Sequence, residues 1–396
     1  MPEISALGLR FKSPIIVAST DIARTAGRFE DFAASGAGGI VTKSVTDAPA
    51  LQDAGIARIH ITGMDQKPVT GDYPEQYYFF SRGGSMLSME DFARKAPELL
   101  RIGRRHGVVV IGSIAASALE NWVSYARQME QLGFDAIELN MGNPHGEASK
   151  GKLGFLIGQS PELCCRIASA VQQAVSIPVI VKLTPQVDSV AALVQALYAA
   201  GIRAVTVMHR YQGLMVDPDT DAPVLGGWAA LGGPWMKPIS LANIARVRRA
   251  APEVTIVGGN GADTARDIYD FISCGARLVE VGSSMMLRGP AYARQLVEDF
   301  EALLRRKGTD ADALVGRTAD GIVTYQNLGS LPRRQVEVQT ELCAGCQGTP
   351  CVTTCYFGGM TRENGQPVHH PEACSGCGLC AHSCGRGAVR IWESNE

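Results

Sequence analysis

Eight of the eleven cysteines lie between residues 343 and 384, in a spacing that could hold metal. They form two motifs, Cys343-x2-Cys346-x4-Cys351-x3-Cys355 and Cys374-x2-Cys377-x2-Cys380-x3-Cys384. In proteins with two iron–sulfur clusters, three closely spaced thiolates hold one cluster and the fourth cysteine of the motif ligates the other. The spacing therefore predicts one 4Fe–4S cluster on Cys343, Cys346, Cys351 and Cys384, and a second on Cys374, Cys377, Cys380 and Cys355. Two structural zinc sites are the alternative, but zinc gives no reason for four closely spaced cysteines in each of two motifs.

The rest of the chain must position any other reactive groups, and its pattern predicts a parallel barrel. From residue 14 to about 305, short apolar runs rich in β-branched residues alternate with longer amphipathic stretches. Eight buried strands, each followed by a helix, are typical of a closed (β/α)8 TIM barrel of the α/β class. The predicted strands are PIIVAS (14–19), GGIVTK (38–43), VVVIGS (108–113), DAIELN (135–140), PVIVKL (178–183), AVTVMH (204–209), VTIVGG (254–259) and LVEVGS (278–283).

Function in such barrels lies where the strands end, so the residues at the carboxyl ends form the candidate site. Lys43 and Lys182 predict an anionic or electron-rich ligand, because burying an unpaired ammonium is unfavourable. Glycines at the last two strand ends favour a phosphate held by backbone amides, and hence a phosphorylated cofactor. The candidates are Ser19, Lys43, Ser113, Asn140, Lys182, His209, Gly258, Gly259, Gly282 and Ser283.

Composition divides the chain and limits its partners. We expect a barrel domain at 1–310, a polar linker at 311–340 and a ferredoxin-like module with two clusters at 341–396. A net charge of −2 argues against nucleic acid and anionic membranes, so a small-molecule substrate is expected.

The N-terminal sequence has no secretory signal pattern, and we expect a cytoplasmic protein that forms a homo-oligomer. No nicotinamide-binding glycine pattern follows a strand, so electrons must be exchanged with another protein.

With these motifs in place, the chain resembles the dihydroorotate dehydrogenase superfamily, and most closely the barrel and ferredoxin part of the dihydropyrimidine dehydrogenases. The segments that carry the likeness are GGIVTKSVT, GFDAIELNMGNPHG, GQSPEL, IPVIVKLTP, KPISL, GGNGADTARDIYDFISCGARLVEVGSSMM and the two cysteine motifs, in the family's order.

The resemblance implies an FMN-dependent dehydrogenase or reductase. It implies flavin contacts for Lys43, Asn140 and Lys182, and a positive charge at Lys182 suits the negative charge of a reduced flavin. It also implies phosphate loops, although the family's element around Gly233 is shortened here. The loop residues implied are Gly259, Asn260, Gly261, Gly282 and Ser283.

The residues expected to handle the substrate depart from the family pattern. Ile157 stands where the family's flexible loop carries a proton-exchanging cysteine, and Asn143 replaces another cysteine of that loop. His209 and Arg210 replace an asparagine and a threonine that bind a pyrimidine edge. Arginine offers a planar fork that pairs with carboxylate or phosphate, so these changes favour a different substrate. Arg210 can equally be a solvated or flavin-contacting loop residue.

The general acid of this chain must therefore be another residue. His209 is the best candidate, because an ordinary imidazole pKa suits acid catalysis near neutral pH. Ser149 and Lys150 are the next candidates, and Ser149 is also a candidate substrate contact. His145 belongs to the family pattern and is more typical of a residue that shapes the loop.

Three functions are compatible with these residues. The first is an FMN and iron–sulfur oxidoreductase of the CH–CH class, acting on a carbon–carbon bond next to a carbonyl in a small cyclic or carboxylated compound. Its electron partner would be an NAD(P)H–flavin subunit or a ferredoxin. The second is an electron-transfer subunit of a larger complex, which Ile157 favours and Arg210 disfavours. The third is a tRNA dihydrouridine synthase, against which the acidic balance of the chain argues.

Overall fold

Eight parallel strands close into a barrel in a computed structural model of the chain, which describes residues 3–146, 153–332, 334–346 and 348–393. Each strand pairs with its neighbours in chain order, and the first pairs with the eighth. The predicted barrel is confirmed, and each predicted strand end lies within two residues of the observed one. The strands are Ile15–Val17, Gly39–Val41, Val109–Ile114, Ala136–Asn140, Val179–Lys182, Ala204–Val207, Thr255–Gly258 and Leu278–Val281.

Burial explains why these strands read as uninterrupted apolar runs. Every residue of the second to the sixth barrel strand is buried, since helices cover one face of the sheet and the barrel interior fills the other. The exceptions inside these strands are polar residues such as Glu138 and Lys182, which are also buried. Such residues mark chemistry rather than packing.

A helix follows each barrel strand, and its ends are set by local sequence. The helix Met89–His106 begins after Ser88, whose side chain accepts the N–H of Asp91, and it ends at Gly107 in the left-handed conformation. The last helix is interrupted at Gly289. The eight helices are Ala26–Ala33, Met89–His106, Leu119–Leu132, Pro161–Ala174, Val190–Ala199, Lys237–Ala250, Ala265–Ser273 and Ser283–Arg306. Shorter helical segments are Asp21–Arg24, Pro49–Gln52, Phe155–Gly158, Pro234–Met236, Ala311–Leu314 and Arg317–Asp320.

An antiparallel sheet that the sequence analysis did not predict is inserted in the barrel. Its strands Arg58–Gly63 and Tyr77–Arg82 come from the connection after the second barrel strand. Its strands Tyr211–Gly213 and Ala229–Gly232 come from the connection after the sixth. Strand Tyr77–Arg82 pairs with Ala229–Gly232, which joins the two connections into one four-stranded sheet. A separate hairpin is formed by Ile4–Ala6 and Leu9–Phe11.

The chain divides into a first unit at residues 1–321 and a second unit at 322–396. The second unit contains two small antiparallel sheets, Arg334–Val338 with Val389–Glu393 and Met360–Glu363 with Gln366–His369. Its helical segments are Tyr325–Ser330, Thr340–Cys343, Pro350–Thr353 and Leu379–Ser383. The predicted limits at 310 and 340 stay predictions. Within the described residues, none of the helices combines the length and apolarity needed to cross a bilayer.

Candidate active site

One cavity opens at the carboxyl ends of the barrel strands, and the antiparallel sheet contributes to its wall. Its empty space, open mouth included, is about 850 Å³. The structure thus brings most of the predicted site residues together. Those that line the cavity are Ser19, Lys43, Lys182, His209, Arg210, Gly233, Asn260, Gly261, Gly282 and Ser283.

Three predicted residues at strand ends are held by the protein itself. The Ser113 hydroxyl lies 2.8 Å from the hydroxyl of Ser44, which also accepts a hydrogen bond from Asn140 Nδ2 at 3.1 Å. The N–H of Gly259 donates to the carbonyl of Val207 at 2.7 Å. The Ser113 hydroxyl and the Gly259 amide thus already have partners in the protein, and the expected cofactor contacts of these two residues stay predictions. Asn140 is different: its buried Oδ1 has no hydrogen-bond partner among the described residues.

The loop that carries the substrate predictions is only partly described. Ser149 and Lys150 lie outside the described residues. Asn143 is buried and accepts the backbone N–H of His145 through Oδ1 at 3.1 Å, and it does not line the cavity. Ile157 is 1 % exposed and packs in the barrel core. The residue at the position of the family cysteine is thus a core residue in this conformation.

Lys182 is not the unpaired cation that the sequence suggested. Its ammonium contacts Glu280 Oε2 and lies 3.3 Å from Glu138 Oε1. All three side chains are at most 7 % exposed. Burial lowers the pKa of Lys182, but the two carboxylates outweigh it and leave the pKa raised. The inference that an unpaired ammonium requires a ligand is therefore wrong for Lys182, because the fold supplies its counter-charges.

Lys43 also has a counter-charge. Its ammonium lies 3.2 Å from Asp21 Oδ1, and Arg24 donates to the same oxygen at 2.6 Å. Burial lowers the pKa of Lys43. The negative charge of Asp21 raises it by less than burial lowers it, so the pKa stays below its ordinary value. Burial raises the pKa of Asp21, but Lys43 and Arg24 together bring it below its ordinary value. Asp21 is thus an ionised carboxylate shared by two cations at the cavity wall.

Arg210 is a half-buried cation at this cavity with a neutral hydrogen-bond partner. Its Nη1 donates to the Ser81 hydroxyl at 2.6 Å. In the part of the chain that the structure describes, no carboxylate lies within salt-bridge distance of its guanidinium. Burial lowers the pKa of Arg210 to about 10, although Asp21 acts in the opposite direction. The group is charged at neutral pH and available to an anion in the cavity.

His209 lines the same cavity, but it is not an ordinary imidazole. Its Nδ1 accepts the backbone N–H of Arg210 at 2.8 Å, which places the ring hydrogen of the neutral form on Nε2. Burial, Lys182 and Arg210 hold the pKa of His209 well below its usual value. The basis for choosing it as the general acid is therefore corrected: at neutral pH His209 is a neutral hydrogen-bond donor.

The glycine-rich loop after the seventh strand has the close approach that a phosphate loop needs. Gly261 has φ +112°, and a Cβ at this position would lie 2.5 Å from the backbone nitrogen of Lys237. Asn260, also with positive φ, donates from Nδ2 to the carbonyl of His209 at 3.1 Å. The loop is thus fixed against the start of the helix Lys237–Ala250.

Gly233 is a glycine for a different reason. Its φ is +115°, and a Cβ would lie 2.4 Å from the carbonyl oxygen of Tyr77 on the antiparallel sheet. The shortened element around Gly233 therefore packs directly on that sheet. Its predicted role in cofactor binding stays a prediction, supported by its place in the cavity wall.

The residues at this cavity fit a phosphorylated flavin. Two residues next to the cavity wall, Asn140 and Ser284, have buried polar atoms without hydrogen-bond partners among the described residues, and such atoms are uncommon unless a further partner satisfies them. Gly261 has no space for a Cβ because the start of the helix Lys237–Ala250 packs against it, and it lies in the cavity wall. Lys182 would stabilise the negative charge that a flavin gains on reduction. Bound there, FMN would supply the hydride chemistry that no side chain can.

The sequence analysis missed several cavity residues. Asp21 and Glu280 are the counter-charges of the two predicted lysines, and Ile59, Phe79 and Ser81 come from the antiparallel sheet. The aromatic run YYFFSR, which contains Phe79 and Ser81, is typical of a strand and was the signal available. Glu280 lies inside a predicted strand, where a carboxylate among apolar residues is itself a sign of function.

In the second unit, the cysteines line two separate cavities. Cys343, Cys346, Cys351 and Cys384 line the first. The second is lined by Cys355, Cys374, Cys377 and Cys380. These are the two sets that the motif spacing predicts. Within the described residues, no three or more Cys, His, Asp or Glu side chains are gathered closely enough to hold a single metal ion.

Comparisons with known proteins agree with the geometry of the first unit. The family model for dihydroorotate dehydrogenase matches residues 78–304. A relative from Methanopyrus kandleri is 33 % identical over 289 residues, which are 72 % of this chain and 85 % of the relative. A relative from Methanothermobacter thermautotrophicus is 29 % identical over 81 % of this chain and 99 % of its own. A relative from Thermoplasma acidophilum is 27 % identical over 76 % of this chain and 92 % of its own. All three are named as the catalytic subunit of dihydroorotate dehydrogenase B (NAD(+)).

Proposed function

The chain belongs to the dihydroorotate dehydrogenase family, and on that basis we propose that it is an FMN and iron–sulfur oxidoreductase for a small anionic substrate. FMN-dependent oxidation and reduction is expected of the family. The reaction proposed is addition or removal of hydrogen across a carbon–carbon bond next to a carbonyl. The arrangement proposed is like that of the barrel and ferredoxin part of the dihydropyrimidine dehydrogenases, with the catalytic loop cysteine replaced by Ile157.

The observation that carries the substrate class is the state of Arg210. Lys182 and Lys43 have carboxylate partners, whereas the half-buried guanidinium of Arg210 has a hydroxyl. A partly desolvated guanidinium without a counter-charge is unfavourable, and a carboxylate or phosphate matches its paired donors. An anionic group of the substrate is therefore proposed to bind Arg210. Dihydroorotate, which the names of the relatives contain, is a carboxylate and the first compound to test.

The side chains of the cavity have distinct proposed roles. Lys182 balances negative charge at the flavin, and Asn140 accepts a hydrogen bond through its free Oδ1. His209 donates a hydrogen bond to the substrate from Nε2, since Nδ1 is occupied. The proton at the reacting carbon then comes from another group, for which Ser149 and Lys150 are the candidates in this chain.

The second unit is proposed to carry two 4Fe–4S clusters that connect the flavin with a partner protein. The spacing of the motifs and the grouping of four cysteines around each of two cavities support this proposal. The relatives are named as catalytic subunits, which supports a separate subunit as electron partner. An NAD(P)H–flavin subunit or a ferredoxin is proposed. Limits at 1–310, 311–340 and 341–396 remain the proposed domain division.

The first test is composition after anaerobic purification. We expect one noncovalent FMN, and about eight irons and eight acid-labile sulfides, as two 4Fe–4S clusters require. Protein with zinc in place of iron would contradict the cluster proposal. Protein with FAD or no flavin would contradict the flavin proposal.

The second test addresses the substrate. Dithionite-reduced enzyme is mixed with unsaturated carbonyl compounds with and without a carboxylate, orotate first, and flavin reoxidation is followed. Arg210→Met is expected to raise KM for a carboxylate substrate by about 10- to 100-fold, since a charged hydrogen bond is worth about 1.5–3 kcal/mol. Arg82→Met is the matched control, because Arg82 lines the same cavity but is exposed and binds the carbonyl of Leu225. Equal effects of the two variants would exclude a specific role of Arg210.

An electron-transfer subunit without an organic substrate is the second candidate, favoured by the core position of Ile157. It predicts flavin reoxidation by a partner protein but by no small compound in the screen. Reoxidation by a carboxylate, lost in Arg210→Met, would exclude it.

A further inference from the structure

Two carboxylates share one ammonium inside the barrel. Lys182, on the fifth strand, contacts Glu280 of the eighth strand and lies 3.3 Å from Glu138 of the fourth. Each oxygen of Glu138 has one donor, since Oε2 accepts from the Thr206 hydroxyl at 3.0 Å and Oε1 accepts from Lys182 at 3.3 Å. Glu280 lines the cavity with Lys182 and contacts the same ammonium as Glu138. We call these three residues, Lys182, Glu138 and Glu280, the buried triad.

The buried triad has an excess of negative charge unless it holds a proton. With both carboxylates ionised its net charge is −1, and two buried carboxylates that share one ammonium repel each other. Burial and Glu138 raise the pKa of Glu280 well above its ordinary value, while Lys182 opposes the shift. The charged groups that act on Glu280 are thus Glu138 and Lys182, and His209 nearby is neutral. One bound proton brings the triad to neutrality.

We propose that Glu280 is a positioning residue that keeps one proton between itself and Glu138, and so prevents the buried triad from repelling negative charge at the flavin. The proposal rests on the proposed FMN site. Without the proton, Lys182 would be outnumbered by two carboxylates, and the cavity wall next to it would be anionic. With the proton, the ammonium of Lys182 is balanced by one ionised carboxylate, and the cavity wall next to it is not anionic.

The test is the midpoint potential of the flavin in the purified holoenzyme as a function of pH. Glu280→Gln is a neutral substitute for the protonated acid, so its potential should equal that of the wild type at neutral pH. At higher pH the wild type should lose its proton and fall to a lower potential than the variant. In that pH range, two-electron reduction of the flavin is accompanied by uptake of one more proton in the wild type than in the variant.

The double variant Glu138→Gln/Glu280→Gln calibrates the effect of one charge. It removes one negative charge relative to a protonated triad, so its potential should lie above that of the wild type at neutral pH. A rise of the same kind in Glu280→Gln alone would show that Glu280 is ionised and would overturn the proposal. Identical pH dependence of wild type and Glu280→Gln at all pH values would also overturn it.

A measurement on the wild type keeps the proposal testable if the variants lose their flavin. The infrared difference spectrum between oxidised and reduced enzyme should contain a protonated carboxyl band that shifts in D₂O. Its absence would contradict a proton on the triad. A wild-type preparation without FMN would instead contradict the proposed function, so the two failures are distinguishable.

Discussion

Gly261→Ala is expected to weaken FMN binding, the stability of the barrel, or both. The native φ of +112° is unfavourable for any residue with a Cβ, and the new atom would lie 2.5 Å from the nitrogen and 2.7 Å from the Cα of Lys237. Both are backbone atoms at the start of a helix, so no side-chain rotation removes the clash. Backbone strain of this kind is worth about 1–3 kcal/mol before the clash is added. We therefore expect a combined loss of at least about 2 kcal/mol, which is roughly 30-fold if it falls entirely on FMN affinity.

The loss is divided between FMN affinity and protein stability, and the division depends on whether the loop relaxes when FMN is absent. Both quantities must therefore be measured. FMN affinity is obtained from the fluorescence of released flavin, and stability from the thermal midpoint of the holoenzyme and of the flavin-free protein. Gly27→Ala is the control, because Gly27 lies outside the cavity wall, is not among the positive-φ glycines, and leaves open space for an added Cβ. If Gly261→Ala binds FMN within about 2-fold of the wild type at an unchanged thermal midpoint, the phosphate-loop assignment is wrong.

Three further outcomes are expected. His209→Asn, which keeps an acceptor for the N–H of Arg210, should slow turnover by less than the roughly 10²- to 10⁴-fold typical of a lost general acid, and a loss within that range would restore the acid role. Glu280→Gln should flatten the pH dependence of the free energy of unfolding. Because the pKa of Glu280 is raised, the folded state keeps a proton that the unfolded state releases. Wild-type stability therefore falls as the pH rises above the unfolded-state pKa, by about 1.4 kcal/mol per pH unit. The thermal midpoint of the variant relative to the wild type should therefore rise as the pH rises from about 5 towards the folded-state pKa, and a constant difference would contradict the raised pKa. Dihydrouracil and dihydrothymine should be poor substrates, and Ile157→Cys should not make them good ones, because position 157 is 1 % exposed and lies outside the cavity wall. Turnover of either compound by the wild type at the rate of a dedicated enzyme would contradict this.

The barrel was predictable because its strands carry their own evidence. A parallel strand buried on both faces is apolar at most positions, so VVVIGS and PVIVKL can be recognised without knowledge of the rest of the chain. The antiparallel sheet was not predicted, because its strands are only partly buried. Arg58–Gly63 has two exposed, two half-buried and two buried residues in succession, which is neither a continuous apolar run nor an alternation.

Within the site, the positions were easier to predict than the contacts. Residues at strand ends meet because parallel strands share one edge, so Lys43, Lys182 and Arg210 could be placed at one cavity. Their partners come from far along the chain: Lys182 is 44 residues from Glu138 and 98 from Glu280. Which carboxylate reaches which ammonium depends on strand register and on the side that each side chain faces. The spacing of residues in the sequence gives neither the strand register nor the side that each side chain faces.

These partners decide where an anionic substrate can be recognised. A cation that the fold already neutralises gains little from a further anion, because the ligand must compete with carboxylates that are never displaced. Lys182 is neutralised by the buried triad and Lys43 by Asp21, so both are suited to holding a fixed charge balance around the flavin. Arg210 has only the hydroxyl of Ser81 among the described residues, and an arriving carboxylate would be its first counter-charge. Specificity for an anion is therefore better placed at Arg210, which is less exposed than Arg82 and has no carboxylate partner among the described residues, than at the two lysines that the sequence makes conspicuous.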